Sequence, residues 1–153
     1  RKNGLLSLLT ERLDHVDELY RLFKGFAKNI IILSGAMKKK ERQQALQKLM
    51  EIPNSEERLL VATGKYIGEG FDDSRLDTLF LTMPISWKGT LQQYVGRLHR
   101  KHNDKDEVKV FDYVDSNVDI LQKMFERRLK GYKNFGYSLD GENEEKIQQI
   151  ELF

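Results

Sequence analysis

The sequence predicts an α/β domain of three layers built on a mostly parallel sheet. Three observations carry this expectation. Five short apolar runs of strand length alternate with stretches whose apolar residues recur at helical spacing. Helical stretches between such runs act as crossovers, which set successive strands parallel. Hydroxyl residues, glycines or a proline follow directly after the first four runs: Thr10, Ser34-Gly35, Thr63-Gly64 and Pro84 to Trp87. Open α/β sheets bind ligands outside the carboxyl ends of their strands, so every candidate motif falls on one rim.

Each element has its own warrant. Leu5-Leu6-Ser7-Leu8-Leu9 is the first strand. Thr10 is placed to cap a helix whose apolar positions Leu13, Val16, Tyr20 and Phe23 follow 3-4-3 spacing, and Gly25 is placed to end it. Ile30 to Leu33 is β-branched and reads as a buried strand. Lys38 to Glu51 reads as a second helix with Ala45, Leu46 and Leu49 inward, broken by Pro53-Asn54-Ser55. Leu59 to Ala62 is the third strand, and Thr78 to Met83 the fourth, stopped by Pro84. A helix over Thr90 to Arg100 turns Leu91, Val95 and Leu98 inward, and Val108 to Val114 is the fifth strand. Val118, Leu121, Phe125 and Leu129 mark a last helix ending near Gly131. Residues 1–131 are expected to form the domain, and 132–153 a tail or the start of a further element.

Composition bounds the function. The chain has 153 residues, 39% of them hydrophobic, which suits one domain with a full core. The absence of cysteine excludes disulfides and cysteine-based zinc sites. No apolar run approaches membrane-spanning length, and no signal-peptide pattern follows Arg1. These features lead us to expect a cytoplasmic piece of a longer chain, with no membrane partner. Net charge is only +2, yet between Trp87 and Val110 six Lys/Arg stand against three acids. Lys38 to Arg42 forms a second basic cluster, for which a solvated surface is a sufficient explanation.

Gln93-Tyr94-Val95-Gly96-Arg97-Leu98-His99-Arg100 places two arginines one helical turn apart. Residues at i and i+3 share a helix face, and guanidinium groups fork onto phosphate oxygens, so the pair can reach one anion. An ordinary basic helix face is the competing explanation. Gln93 can instead close a capping box with Thr90. Upstream, Thr63 to Asp72 holds glycines 64, 68 and 70, a backbone able to turn sharply and approach a ligand. Thr63 offers a hydroxyl and an amide to a phosphate, and Asp72 a carboxylate to ribose hydroxyls or to a turn. His99 and His102 lack the cysteine or acid partners of a metal site, so no metal is expected from this chain. Trp87 suits either stacking on a base or a partly buried interface. No G-x-x-x-x-G-K-[ST] phosphate loop is present.

Thr63-Gly64…Glu69-Gly70-Phe71-Asp72 and Gln93…Gly96-Arg97…Arg100 resemble motifs V and VI in the C-terminal RecA-like lobe of superfamily-2 DEAD/DEAH helicases. The likeness is nearest to the XPB-like and type III restriction-type group. Leu8 to His15 looks like motif IV, and Leu33 to Arg42 like the segment after it. The resemblance implies a RecA-like domain, of the P-loop NTPase type, that lacks its own P-loop. It implies an ATP-dependent DNA helicase or translocase in a longer chain, the fragment itself being inactive. ATP and Mg2+ would be held mainly by the N-terminal RecA-like lobe of the parent chain. Arg97 and Arg100 would act as arginine fingers, and Gly70, Asp72 and Gln93 would line the nucleotide cleft. Thr10, Ser34, Gly35, Thr63 and Gly64 would touch the phosphates of one nucleic-acid strand. Glu69 stands where DEAD-box RNA proteins usually carry Arg, and Leu98-His99 where they carry T-G. Both departures favour DNA over RNA. The alternative is a non-catalytic RecA-like module that binds nucleic acid or a partner.

Overall fold

The computed structural model describes residues 4–64, 71–87, 89–103 and 105–140. Five strands form one sheet: β1 (Leu5–Thr10), β2 (Ile30–Leu33), β3 (Arg58–Thr63), β4 (Leu76–Leu81) and β5 (Lys109–Asp112). Their order is β2-β3-β1-β4-β5, and every pairing among them is parallel. Four helices accompany them among the described residues: α1 (Leu13–Phe23), α2 (Lys39–Glu51), α3 (Gly89–Leu98) and α4 (Asp119–Asn134).

Position in the sheet explains the strand sequences. β3 lies inside the sheet, and all six of its residues are buried. A strand covered on both faces reads as a continuous apolar run, as β1 and β3 do. The edge strand β2 instead alternates half-buried and buried residues. On one face of the sheet Leu5, Leu9, Leu60, Ala62, Leu79 and Leu81 join the inward residues of the later helices in the main core. On the other face Leu8, Leu59 and Val61 meet Val16 and Leu19 of α1. Burying a side chain of this size is worth about 1.5–3 kcal/mol, so the sheet's two faces dominate the stability. Beside α1 an apolar groove of about 580 Å³ remains, lined in part by Leu6, Leu22, Phe23, Phe26 and Phe80.

Several boundaries differ from the sequence expectation. The inward side of α1 is Val16, Leu19 and Phe23, while Tyr20 is 40% exposed. Thr10 does not occupy the cap position, which falls to Arg12; the Thr10 hydroxyl accepts the Arg12 N–H at 3.3 Å. α1 does end at Gly25, which follows the C-cap Lys24, although Gly25 does not take the left-handed conformation. β4 starts and stops two residues early, and α3 ends at Leu98, before Arg100. α4 runs past Gly131 to Asn134, burying Tyr132 and bringing Phe135 and Tyr137 against the core.

α2 ends on a side-chain cap. The Arg75 guanidinium donates to the carbonyls of Leu49 (3.2 Å) and Ile52 (3.4 Å) and holds Asp73 through contacts of 2.8 and 2.6 Å. A cation there satisfies orphan carbonyls and complements the helix dipole.

Candidate functional site

Parallel strands put all their carboxyl ends on one edge. Register aligns them further: Thr10 pairs with Thr63, and Leu33 with Ala62. Ser34 therefore stands level with Thr63, and Ser34, Thr63 and Thr10 form a row on adjacent strands about 4.8 Å apart.

Exposure separates the members of this row. Thr10 is fully buried, and its hydroxyl donates to Met83 Sδ at 2.8 Å and lies 2.9 Å from His15 Nδ1. That hydroxyl is committed inside the chain. Ser34 and Thr63 are also buried, at 8% and 6% exposure, and the Thr63 hydroxyl has no hydrogen-bond partner among the described residues. Gly35 is exposed, whereas Gly64 is buried. The Gly64 carbonyl accepts a hydrogen bond from the Tyr94 hydroxyl of α3. Gly70 lies outside the described residues.

Arg97 sits half-buried in the last turn of α3, and Gln93 is exposed one turn earlier. Arg100 lies just beyond the helix, in a turn closed by its own N–H on the Arg97 carbonyl at 3.1 Å. The two arginines are thus one turn apart, with Arg100 outside the helix. Lys105 braces the turn: its ammonium donates to the carbonyls of Leu98 (2.8 Å) and Arg100 (2.7 Å). Burial lowers the Lys105 pKa, partly offset by the charges of Asp77 and Asp73.

Arg100 forms an ion pair with Asp72, both side chains about half exposed. Two residues assigned to the nucleotide cleft are so brought together from segments 28 positions apart in sequence. An exposed pair of this kind is worth about 0–1 kcal/mol, so an anion of higher charge can displace the carboxylate. The pair lies at the amino edge of the sheet, where α3 has returned from the carboxyl end of β4 and Lys105 neighbours Gly4, Arg58 and Asp77, so the expectation that every motif shares the carboxyl rim does not hold for these residues. Among the described residues, no group of three His, Cys, Asp or Glu is placed to hold a metal ion.

Neighbouring residues have structural roles. Trp87 packs edge-on against Tyr132 (centroids 5.3 Å apart) and Phe135 (6.2 Å), the interface role. His99 stacks on Phe135 and meets Tyr137 edge-on. Gly96 faces Phe135, and a Cβ there would lie 3.6 Å from its ring, an ordinary contact. Asp112, the last residue of β5, takes a two-pronged contact from buried Arg128 (2.6 and 2.9 Å) and a hydrogen bond from Tyr132 (2.9 Å). Arg128 also donates to the Ile85 carbonyl at 2.8 Å, tying α4 to the loop that leads into α3. Burial and the Asp112 charge raise the Tyr132 pKa.

Residues 3–102 match the family described as helicase conserved C-terminal domain, and the chain belongs to that family. The fold is the RecA-like, parallel α/β fold of helicase C-terminal domains. The chain is 40% identical over 79 residues to "Putative helicase 161L" of Invertebrate iridescent virus 6, covering 52% of this chain but 17% of that protein. It is 36% identical over 97 residues to protein 108L of Invertebrate iridescent virus 3, covering 63% of this chain and 88% of that one. Among solved structures it shares its fold with T4 UvsW (TM-score 0.64, 21% identity, 87% of this chain, 29% of that chain). It likewise shares it with the C-terminal domain of the DEAD-box protein Dbp5 (TM-score 0.64, 18% identity, 89% and 72%). The C-terminal part of the Fun30 ATPase domain matches with TM-score 0.64 at 15% identity, over 81% of this chain and 38% of that one. No helix among the described residues is long and apolar enough to cross a membrane.

Proposed function

We propose that this chain is the C-terminal motor lobe of an ATP-dependent DNA helicase or translocase of the XPB-like and type III restriction-type group. The Arg100–Asp72 pair carries the reading, because it sets a displaceable guanidinium on the accessible amino edge of the sheet, opposite the row formed by Ser34 and Thr63. Bound ATP with Mg2+, held mainly by the N-terminal lobe, supplies the phosphoryl group whose transfer drives the motor. Arg97 and Arg100 neutralise the charge that develops on that group, a contribution worth about 10³–10⁵ in rate where arginine fingers have been removed. Asp72 releases Arg100 and turns to the ribose with Gly70, and Gln93 lies on the same helix as Arg97. On the opposite, carboxyl edge of the sheet, Ser34, Gly35, Thr63 and Gly64 approach a strand backbone chiefly through amides and small side chains. Such contacts carry no sequence information, as a translocase requires. Thr10 ends the neighbouring strand, with its hydroxyl held by Met83 and His15.

ATP hydrolysis by the parent chain, with single-stranded DNA, double-stranded DNA or RNA of the same sequence, tests the proposal. Stimulation by DNA exceeding that by RNA is expected. Strand binding without hydrolysis under any condition would leave a non-catalytic binding module as the surviving account.

A further inference from the structure

The geometry points to Tyr94 as a positioning residue that couples strand contact to the arginines. This inference rests on the motor reading above. Tyr94 is 1% exposed, and its hydroxyl donates to the carbonyl of Gly64, 30 positions away, at 2.5 Å. Gly64 follows the last residue of β3 and opens the glycine-rich segment assigned to the nucleic-acid strand. Tyr94 lies one helical turn before Arg97, between the buried residues Leu91 and Leu98. One hydrogen bond therefore joins the strand-contacting edge to the middle of the helix that carries the first arginine.

Packing makes the link stiff. Leu91, Val95 and Leu98 are all 1% exposed or less, so α3 moves as a packed unit rather than by bending. A shift of the Gly64 carbonyl on strand binding is passed to that unit through the tyrosine hydroxyl. Phenylalanine would keep the ring and remove the hydroxyl that makes this connection. A purely apolar core position would not have required the hydroxyl, because a buried Tyr O–H must find a partner.

Tyr94→Phe in the parent chain is the test, with Tyr132→Phe as control. Tyr132 is equally a buried tyrosine, but its hydroxyl serves Asp112 at the end of β5, three strands away from β3. Both variants are assayed well below their unfolding midpoints for hydrolysis with and without a single strand, and for strand affinity. Tyr94→Phe should keep unstimulated hydrolysis and strand affinity and lose at least about 5-fold of the stimulation, the lower end of coupling between two sites. Tyr132→Phe should lower the unfolding midpoint and keep the stimulation ratio. Full stimulation in Tyr94→Phe, or equal loss in both variants, would overturn the inference. A wild-type chain that no strand stimulates would instead refute the motor reading itself.

Discussion

Removing the carboxylate of Asp112 should be among the most damaging single changes to this fold. The side chains of Arg128 and Asp112 are 1% and 7% exposed, so the pair is desolvated. Asp112→Ala deletes the acceptor for two Arg128 N–H groups and for the Tyr132 hydroxyl, leaving the Ile85 carbonyl as the guanidinium's acceptor among the described residues. A buried charge deprived of its partner costs about 3–5 kcal/mol. At roughly 2–4 °C per kcal/mol for a chain of this size, the midpoint should fall by roughly 6–20 °C. Urea and thermal unfolding followed by circular dichroism measure this. Arg128→Met alone should also destabilise, by leaving the carboxylate buried without its cation. The double variant should cost clearly less than the sum of the two, since an apolar replacement removes both desolvation penalties. Additive single changes, or a loss below about 1 kcal/mol for Asp112→Ala, would refute the argument, because only an exposed pair is worth so little.

Three further outcomes follow from the geometry. Gly131→Ala would set a Cβ 2.0 Å from Trp87 Cε2, so it should destabilise by about 1–3 kcal/mol through overpacking, read in the same unfolding assays. Gly96→Ala meets only a 3.6 Å contact and should raise stability by up to about 1 kcal/mol through helix propensity; a comparable loss would show that α3 has no room there. At Asp73 burial favours the neutral form but is outweighed by hydrogen bonds from Arg75, and the folded pKa lies below the ordinary carboxylate value. Its contribution is therefore full above the unfolded pKa of about 4 and is lost as pH falls toward the folded value. Asp73→Asn should flatten the acid limb of a stability–pH curve, and an unchanged limb would contradict this assignment.

Strand and helix order was legible because burial writes its own periodicity. β3 is continuous in apolar residues because it is covered on both sides, and α3 shows Leu91, Val95 and Leu98 at helical spacing. The two arginines after Gly96 stand out by residue type, and the structure brings Arg100 against Asp72. Illegible features depend on three-dimensional partners. Thr10 reads as an available hydroxyl until Met83 and His15 are found against it. Tyr94 reads as one more apolar helix position, although a buried tyrosine hydroxyl signals a partner to be sought. Arg128 and Asp112 are ordinary surface letters 16 positions apart, and nothing local marks their burial. Arg100 was misplaced onto the helix because periodicity does not reveal that Lys105 closes the turn after Leu98.

The exposed Arg100 guanidinium is the centre of this account, and one comparison bears on it directly. DNA-stimulated ATP hydrolysis would be measured for the parent chain as wild type, Arg100→Ala and Arg100→Lys. The account predicts a loss of about 10³-fold or more in Arg100→Ala, with little rescue by lysine, which carries the charge without the planar fork. Hydrolysis in Arg100→Ala equal to wild type, with DNA binding intact in both, would contradict it.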